Sequence, residues 1–420
     1  MANFETWEMV QLSDDCFATG GRLLSVDAAR ALVFERVMPV AGSERVPLRQ
    51  SLGRTLAADV VAPINVPGYD NSAVDGYAVR FDDLDPARPT TLRCIDRVVA
   101  GHDPAVALVA GTAARIFTGA ILPGGADVVI MQEDCERDGE RVTIRPGITR
   151  GANARRAGED VAGGSTALTA GRRLGPADLG LLAALGVVQV PVRRRLKVAL
   201  LSTGDEVREP GEPLRRGQIH DANRYILAGL LERLGVEVSD LGIVRDDPTT
   251  LRGALPRAAA ESDLIITSGG VSTGEEDHVR AAIADLGSLH FWRLAIKPGR
   301  PVAMGQIGAT PLAGLPGNPV AALLAFALVA RPMIEALGGA TPNLPKRFRV
   351  VSDFAYGKKA GRREYVRASL EGDKVRRYHK DGAGMLTSLT ETDGLVELPE
   401  EITRLEAGTV VDFLPYSELL

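Results

Sequence analysis

The stretch "DLIITSGGVSTGEEDHVRAAIADLG", residues 263–287, passes from a short apolar run through a loop of small residues into a helical pattern. The apolar run ends in Thr, Ser and Gly, and aliphatic residues then recur at helical spacing. The same order is seen where "LKVALLS" (196–202) precedes "NRYILAGLLERLG" and "TPLAGLPG" (310–317) precedes "NPVAALLAFALVARPMIEALG". Strands that alternate with helices predict a central parallel α/β sheet with helices on both faces.

The remaining sequence predicts additional domains around this sheet. Short β-type runs such as "ADVVIMQE" are separated by Gly, Pro and Asp turns, which indicates an inserted β-rich domain. Amphipathic helices are predicted after Ser25 and at "GPADLGLLAALG" (175–186). We therefore predict a multi-domain α/β plus β protein. Its predicted parts are a flexible N-terminal tail (1–20), an elongated mixed or helical domain (21–61 plus 151–193), the inserted domain (62–150), the α/β domain (194–340) and a small C-terminal all-β domain (341–420).

Composition excludes several classes of function. The 420 residues carry a net charge of −5 without a Lys/Arg block, so no nucleic-acid-binding footprint is present. Cys16, Cys94 and Cys135 are odd in number and far apart, which argues against a disulfide framework or a zinc site. The N-terminal residues lack the apolar core of a signal peptide, and no apolar run is expected to span a membrane. We expect a soluble cytoplasmic protein.

Three loops are predicted at the carboxyl ends of the parallel strands, where ligands of α/β sheets bind. Each has a structural alternative: Asn318-Pro319, for example, is a good helix N-cap followed by Pro at the first helical position. Together, three loops rich in Gly and hydroxyls at one sheet edge predict an oxyanion cradle. The candidate residues are Ser202, Thr203, Gly204, Ser268, Gly269, Gly270, Ser272, Pro316, Gly317, Asn318 and Pro319.

Acidic residues lie beside the same loops: Glu206, Asp221, Asp246, Asp247 and Asp277. For Asp247, which precedes Pro248, we favour a helix-capping role. Asp246 and Asp277 are predicted on the cradle side. An anion and carboxylates share a site when a divalent cation lies between them, and Mg²⁺ prefers such oxygen ligands. The sequence therefore predicts a phosphate or oxyanion substrate bound with Mg²⁺ at Asp246 and Asp277.

Two further segments contain candidate residues. "WRLAIKPGRP" concentrates positive charge at Arg293, Lys297 and Arg300, although solvated surface charge is the alternative interpretation. In the inserted domain, "PGYDNSAVDGYAVR" (67–80) includes Asp75, with an Asx-rich turn as the alternative, and Thr118 lies beside a Gly turn. No P-loop, no G-x-G-x-x-G motif after a strand and no G-x-S-x-G motif is present.

Seven motifs in order resemble the MoeA-type molybdopterin molybdenumtransferases, a family that includes the gephyrin E-domain. They are "PGYDNSAVDGYAVR", "TGAILPGGADVVIMQED", "RRAGED", "LLSTGDEV", "TSGGVSTGEEDH", "LAIKPGRPVAMG" and "GLPGNPVAALL". The resemblance spans roughly residues 20 to 415. It implies the last step of molybdenum cofactor synthesis: adenylylated molybdopterin is cleaved, AMP is released, and molybdate is placed on the pterin dithiolene with Mg²⁺.

The resemblance also implies roles for individual residues. The family's functional residues match Asp75, Thr118, Asp160, Glu206, Asp246, Asp277, Lys297, Pro316 and Pro319, and more loosely Arg367 and Ser388 near the oxyanion. Position 293 is Arg where some relatives carry Lys. The implied assembly is a homodimer in which the inserted domain of one chain faces the α/β and C-terminal domains of the other. Transient contact with other cofactor-synthesis proteins is a further expectation.

These residues suggest a mechanistic hypothesis. Asp246 and Asp277, helped by Ser272, would hold Mg²⁺ on the substrate phosphates. The segment 268–270 and Lys297 would stabilise developing charge, and Arg367 and Ser388 would hold molybdate. Any one of Glu206, Asp75 or Asp160 would orient water or move a proton. The alternatives are an ATP-dependent molybdopterin adenylyltransferase, as in the MogA-type domain, and a non-catalytic scaffold like gephyrin.

Overall fold

The computed structural model describes residues 23–245, 247–269, 278–299 and 301–419. Some sequence-based predictions concern positions outside these ranges and stay predictions. They are the N-terminal tail at 1–20, Cys16, Asp246, Gly270, Ser272, Asp277 and Arg300.

A seven-stranded sheet forms the centre of the α/β domain. In spatial order its strands are Leu23–Leu24, Gly287–Leu294, Pro301–Ile307, Thr310–Leu315, Leu264–Ser268, Lys197–Thr203 and Glu237–Val244. The last four strands are parallel, which confirms the predicted parallel core. Pro301–Ile307 runs antiparallel to both of its neighbours, so the complete sheet is mixed.

Helices cover both faces of this sheet because its strands are apolar on both faces. Val198 and Leu200 pack into one hydrophobic cluster, whereas Ala199 and Leu201 pack into the cluster on the opposite face. Each fully buried leucine contributes on the order of 1.5–3 kcal/mol. The first face is covered by the helices Val26–Arg36 and Asn223–Leu234 and by one continuous helix. This continuous helix consists of Pro319–Ala325, the π-helical turn Phe326–Ala330 and Arg331–Leu337. The second face is covered by the helices Pro248–Glu261 and His278–Leu286.

The helix Pro319–Leu337 corrects one expectation. With 19 residues and a mean hydropathy of 1.9, it is long and apolar enough to cross a membrane, contrary to the sequence-based expectation that no such run exists. However, 89% of that apolar window is buried inside the protein. It is the central helix of the core, and its all-round hydrophobicity reflects packing on every side.

The mixed domain is discontinuous in sequence and small. Its core is formed by residues such as Leu56, Leu174, Leu182 and Val192. Its elements are the paired strands Ser43–Pro47 with Gln189–Arg193 and Val60–Val61 with Thr166–Leu168, the 3₁₀ helix Leu48–Gln50 and the helix Pro176–Ala184. The helix Val26–Arg36, N-capped by Ser25 as expected, packs instead into the core of the α/β domain. The predicted domain limits stay a prediction.

The inserted domain is a six-stranded sheet with hydrophobic clusters on both faces. In spatial order its strands are Val128–Met131, Gly76–Val79, Thr112–Ile116, Thr90–Val98, Arg141–Ile144 and Cys135–Asp138. The domain also contains the 3₁₀ helices Phe81–Asp83 and Gln132–Asp134 and the strand pair Asn71–Ser72 with Ala154–Arg155. Gly76 is required here, because a Cβ at this position would lie 1.8 Å from the Ile130 carbonyl oxygen. Cys94 and Cys135 are free thiols.

The C-terminal domain is a closed β-barrel. Its strands Arg363–Glu371, Lys374–Arg377, Phe348–Ser352, Val410–Pro415 and Gly394–Leu398 pair in that order, and the last pairs back with the first. Smaller elements of this domain are the strand pair Tyr356–Gly357 with Arg404–Leu405 and the helices Thr387–Thr390 and Tyr416–Leu419. A further small strand pair, Val207–Arg208 with Ile219–His220, belongs to the α/β domain. The strand Ile296–Lys297 of the α/β domain adds to this barrel, with Lys297 opposite Glu364.

Candidate functional site

Three parallel strands end at the same sheet edge and bring their loops together. Ser202 lies opposite Ser268 in the register of the sheet, and Ser268 lies opposite Leu315. The predicted convergence of the segments after residues 202, 268 and 315 is therefore confirmed by the strand pairing. We call the described part of these loops, 202–206, 268–269 and 316–319, the strand-end cradle.

Asn223 joins two of these loops and was not among the predicted site residues. Its amide nitrogen Nδ2 donates to Ser268 Oγ at 2.9 Å and to the Gly317 carbonyl oxygen at 2.8 Å. The side chain is buried, with 8% of its surface exposed. The sequence signal was an Asn at the start of the helix Asn223–Leu234, which is equally typical of ordinary helix termini.

The floor of the cradle contains polar atoms without partners. Ser202 and Thr203 are 2% and 1% exposed, and within the described ranges neither Ser202 Oγ nor Thr203 Oγ1 has a hydrogen-bond partner. The same holds for Asn223 Oδ1. A buried polar atom without a partner costs about 1–3 kcal/mol. Because protein interiors satisfy nearly all such atoms, these three indicate a position for water or ligand atoms.

Backbone geometry makes glycine necessary in the cradle. Gly269 has a φ of +81°, and a Cβ there would lie 2.6 Å from the Thr203 carbonyl oxygen. Its N–H donates to the Leu315 carbonyl at 3.2 Å, so this donor closes the sheet and is not available for an anion. At Gly204 (φ +133°) a Cβ would lie 2.7 Å from Glu206 Oε2, which places the exposed Glu206 carboxylate over this glycine.

The helix starts beside the cradle differ in how they are capped. Asp247 accepts from the backbone N–H groups of Thr249 and Thr250 at 3.1 and 2.9 Å, which confirms its capping role. Asn318 occupies the N-cap position before Pro319, but its side chain makes no capping hydrogen bond. The capping interpretation therefore accounts for Asp247 and leaves the Asn318 side chain unexplained.

Asp221 is committed to a buried arginine. Its carboxylate accepts from Arg224 N at 3.1 Å and from Arg224 Nε at 3.2 Å. Arg224 also pairs with Glu209 and Asp240. Although burial favours the neutral form, these carboxylates raise the pKa of Arg224 above its ordinary value. Asp221 is therefore a structural residue that anchors the start of the helix carrying Asn223.

A cationic cavity of about 310 Å³ lies where the α/β domain meets the barrel. Its lining includes four cationic side chains, Lys297, Arg367, Arg377 and Lys380, against the carboxylates of Glu364 and Asp381. The cavity adjoins the cradle, because Ala383 lines it and accepts from Val320 N, in the first turn after Pro319, at 3.0 Å.

Lys297 is held in this cavity by the barrel. Its Nζ lies 3.1 Å from Glu364 Oε2 and 3.3 Å from the Tyr356 hydroxyl. Burial favours the neutral amine, yet these two partners raise the pKa of Lys297 above its ordinary value. Burial likewise opposes ionisation of Glu364, and Lys297 and Tyr356 overcome it, so that the pKa of Glu364 is lowered. Both groups are charged at neutral pH.

Arg367 is a buried cation of the cavity with few partners. Its side chain is buried, with 7% exposed, and its Nε has no hydrogen-bond partner among the residues that the structure describes. Its Nη2 donates one long hydrogen bond, of 3.4 Å, to the Lys380 carbonyl oxygen. Burial lowers the pKa of Arg367. A buried guanidinium with free N–H groups is suited to binding an oxyanion.

Ser388 and Arg293 take other positions. Ser388 is fully buried, does not line the cavity, and donates its hydroxyl to the Met385 carbonyl oxygen. Arg293 is exposed in the strand Gly287–Leu294, opposite Leu23 and Pro301. The structure therefore places Lys297 and Arg367 together and does not bring Ser388 into the cavity with them.

The predicted residues of the inserted domain form a separate pair. Asp75 Oδ1 accepts from Thr118 N at 2.8 Å and from Thr118 Oγ1 at 2.7 Å. These two bonds, first the backbone and then the hydroxyl, lower the pKa of Asp75. Asp160 is exposed in a loop of the mixed domain, where its N–H donates to Val66. The described hydrogen bonds of Asp75 and Thr118 stay within the inserted domain.

Comparison with known proteins identifies the family. Residues 24–186 match the MoeA N-terminal region (domain I and II), 199–336 a probable molybdopterin binding domain, and 349–416 the MoeA C-terminal region (domain IV). A molybdopterin molybdenumtransferase of Haemophilus influenzae is 38% identical over 95% of this chain and 100% of its own length. Molybdopterin molybdenumtransferase 2 of Mycobacterium tuberculosis is also 38% identical, over 87% of this chain and 93% of its own length. The crystal structure of a molybdopterin biosynthesis MoeA protein from Pyrococcus horikoshii OT3 is similar at 30% identity and a TM-score of 0.80, covering 94% of this chain and 100% of that one. The chain belongs to the MoeA family of molybdopterin molybdenumtransferases.

Proposed function

We propose that this protein is a cytoplasmic molybdopterin molybdenumtransferase that cleaves adenylylated molybdopterin, releases AMP and inserts molybdate into the dithiolene. The observation that carries the proposal is the adjacency of two anion-suited sites: the strand-end cradle and the cationic cavity. The reaction needs both, because its two substrates present a phosphate-linked nucleotide and a separate oxyanion. Their closeness makes the transfer effectively intramolecular.

The cradle is the proposed site of the phosphate-linked end of the substrate. The hydroxyls of Ser202 and Ser268 offer donors there, since Ser202 Oγ has no partner and Ser268 Oγ accepts only from Asn223 among the contacts described. Asn318 and the start of the long helix at Pro319 lie at the same edge. Negative charge is stabilised at helix starts, which supports placing phosphate beside this residue.

The cationic cavity is the proposed molybdate site. Arg367 presents an Nε that has no partner among the described side chains and backbone groups, and Lys297 contributes a positive charge held by Glu364. An oxyanion would offset the desolvation of the buried guanidinium, which its one long hydrogen bond to Lys380 offsets only in part. Ser388 supports this site indirectly in our proposal, because its hydroxyl fixes the segment around Met385.

Proton transfer and water orientation are assigned to exposed carboxylates. Glu206 lies over Gly204 at the cradle and is the candidate supplied within the chain. Asp75, Thr118 and Asp160 would reach the cradle from a second subunit in the proposed homodimer. The pairing of Asp75 with Thr118 supports such a role, because it keeps an exposed carboxylate ionised and oriented.

Magnesium remains a proposal from the sequence pattern. Its proposed ligands, Asp246 and Asp277, lie outside the described residues, and within the described ranges no group of three or more His, Cys, Asp or Glu side chains could hold a metal. When bound, Mg²⁺ would neutralise the substrate phosphates. The roles proposed for Ser202, Lys297 and Arg367 do not depend on the metal.

The test is a reconstitution with purified protein, adenylylated molybdopterin, Mg²⁺ and molybdate, in which AMP and molybdenum cofactor are both measured. We expect equimolar AMP and cofactor, with neither formed at an appreciable rate when molybdopterin is not adenylylated. Consumption of ATP with unmodified molybdopterin would instead establish the adenylyltransferase alternative. Peptide binding with no AMP release would establish the scaffold alternative.

A further inference from the structure

We infer that Asn223 is a positioning residue that sets the width of the strand-end cradle and directs the hydroxyl hydrogen of Ser268 toward the substrate. This inference rests on the proposed function. Its basis is that one buried amide nitrogen donates to both Ser268 Oγ and the Gly317 carbonyl. These two acceptors belong to loops that leave neighbouring strands of the sheet.

Asn223 holds the loops together where the sheet no longer does. The pairing of Leu264–Ser268 with Thr310–Leu315 ends at Ser268 opposite Leu315, and the N–H of Gly269 makes one more bond back to Leu315. Beyond this point the contact from Asn223 to Gly317 spans the two loops. Removing it leaves the segment from Pro316 to Asn318 without this tie to the Ser268 loop.

The orientation of the amide is fixed by its partners. Gly317 contributes a carbonyl oxygen, which can only accept, so Nδ2 and not Oδ1 faces it. The same nitrogen donates to Ser268 Oγ. Because that hydroxyl oxygen accepts from Asn223, its own hydrogen is left for another acceptor, such as a phosphate oxygen. An aspartate at position 223 would fit the space but could not donate to either partner.

Asn223 is itself held rigidly. It begins the helix Asn223–Leu234, whose Leu227 and Leu231 are fully buried against the sheet. The next residue, Arg224, is 4% exposed and pairs with Asp221, Asp240 and Glu209. A side chain that positions a site must be fixed by its own surroundings. This buried ion-pair cluster supplies that support.

The experiment compares Asn223→Asp, Asn223→Ala and Ser268→Ala in the full chain, with Thr310→Val as the matched control. Thr310 is a buried residue at the opposite end of the same strand as Leu315, where its hydroxyl donates to the Ala259 carbonyl at 2.8 Å. For each variant the melting temperature, kcat and KM for adenylylated molybdopterin, and Kd for AMP are measured. Asn223→Asp has nearly the parental side-chain volume, so it remains a folded probe if Asn223→Ala does not fold.

We expect kcat to fall about 100-fold in both Asn223 variants, because displacements near 1 Å cost this much, while Kd for AMP changes less than about threefold. Ser268→Ala should also lower kcat, and the double variant Asn223→Ala/Ser268→Ala should be little worse than the poorer single variant. Thr310→Val should retain the parental kcat. Three results would each overturn the inference: parental kcat in Asn223→Asp, a rise in KM with unchanged kcat, or an equal loss in Thr310→Val. An inactive parent protein would refute the proposed function instead.

Discussion

Replacement of Arg367 by Met is expected to weaken molybdate binding without lowering the stability of the protein. The Arg367 guanidinium is buried, and its Nε makes no hydrogen bond to any part of the chain that the structure describes. A hydrogen bond to a charged group contributes about 1.5–3 kcal/mol, and each 1.4 kcal/mol is a factor of ten. Loss of one such bond to molybdate therefore raises the KM for molybdate between about 10-fold and about 150-fold.

The melting temperature without molybdate should not fall when Arg367 is replaced. Because the burial of Arg367 is only partly compensated, Arg367→Met should melt at the same temperature as the parent or higher when molybdate is absent. Molybdate should raise the melting temperature of the parent and not that of the variant. Arg367→Lys should be intermediate in KM, since it keeps the charge but lacks the guanidinium fork.

The assay is AMP release at saturating adenylylated molybdopterin over a molybdate titration, with thermal melts of the same samples. Arg376→Met is the control, because Arg376 is exposed, pairs with Glu371 and does not line the cavity. A parental KM for molybdate in Arg367→Met, together with parental kcat, would refute the assignment of this cavity. A large loss of stability without molybdate would show that Arg367 is already satisfied.

Three further predictions concern the other charged residues. In the folded state the pKa of Lys297 is raised and that of Glu364 is lowered, so the stability from this pair is lost as pH rises through the folded pKa of Lys297 or falls through that of Glu364. Lys297→Met should therefore melt below the parent from about pH 5 to about pH 10, and the difference should narrow as pH falls through the lowered folded pKa of Glu364. A difference in melting temperature that stays constant in thermal melts from pH 8 to pH 3 would contradict this. Asp277→Asn should abolish the Mg²⁺ dependence of AMP release. Chelation of divalent ions should lower the rate of AMP release by the parent to that of this variant. An undiminished rate of AMP release by Asp277→Asn would show that Asp277 is not a metal ligand. Asp75→Asn and Lys297→Met chains, each inactive alone, should regain activity when they are mixed under conditions of subunit exchange. One of the two sites in a mixed dimer then contains neither substitution. If mass spectrometry shows mixed dimers but activity does not recover, Asp75 acts in the site of its own chain.

Local patterns in the sequence predicted several of the secondary-structure elements of this protein. Ser25 and Asp247 cap helices as predicted, since an N-cap depends only on residues within one turn. The parallel strands ending at Ser202, Ser268 and Leu315 were predictable because strand-helix alternation restricts the topology. That restriction also placed the three loops at one edge. Resemblance of seven ordered motifs supplied the family and with it the expected reaction.

Contacts between distant segments decided the details of the site. The sequence could not reveal that Asn223 reaches both Ser268 and Gly317, because a helix-start Asn has the same local pattern whatever it touches. The same is true of Asp221, which is bound by Arg224, and of Ser388, whose hydroxyl is occupied by Met385. Hydrogen-bond partners are set by packing and not by residue type.

Burial is the second quantity that only the tertiary structure provides. Lys297 and Arg367 are both cations in the sequence, yet Lys297 has a carboxylate partner in Glu364 of the barrel. The described residues provide no partner for the Nε of the buried Arg367. The helix Pro319–Leu337 has the composition of a membrane span and lies instead in the core. Composition and spacing determined the alternation of strands and helices that builds the parallel core. The free energy of a charge or an apolar surface depends on what replaces water around it, and that was decided only when the domains packed together.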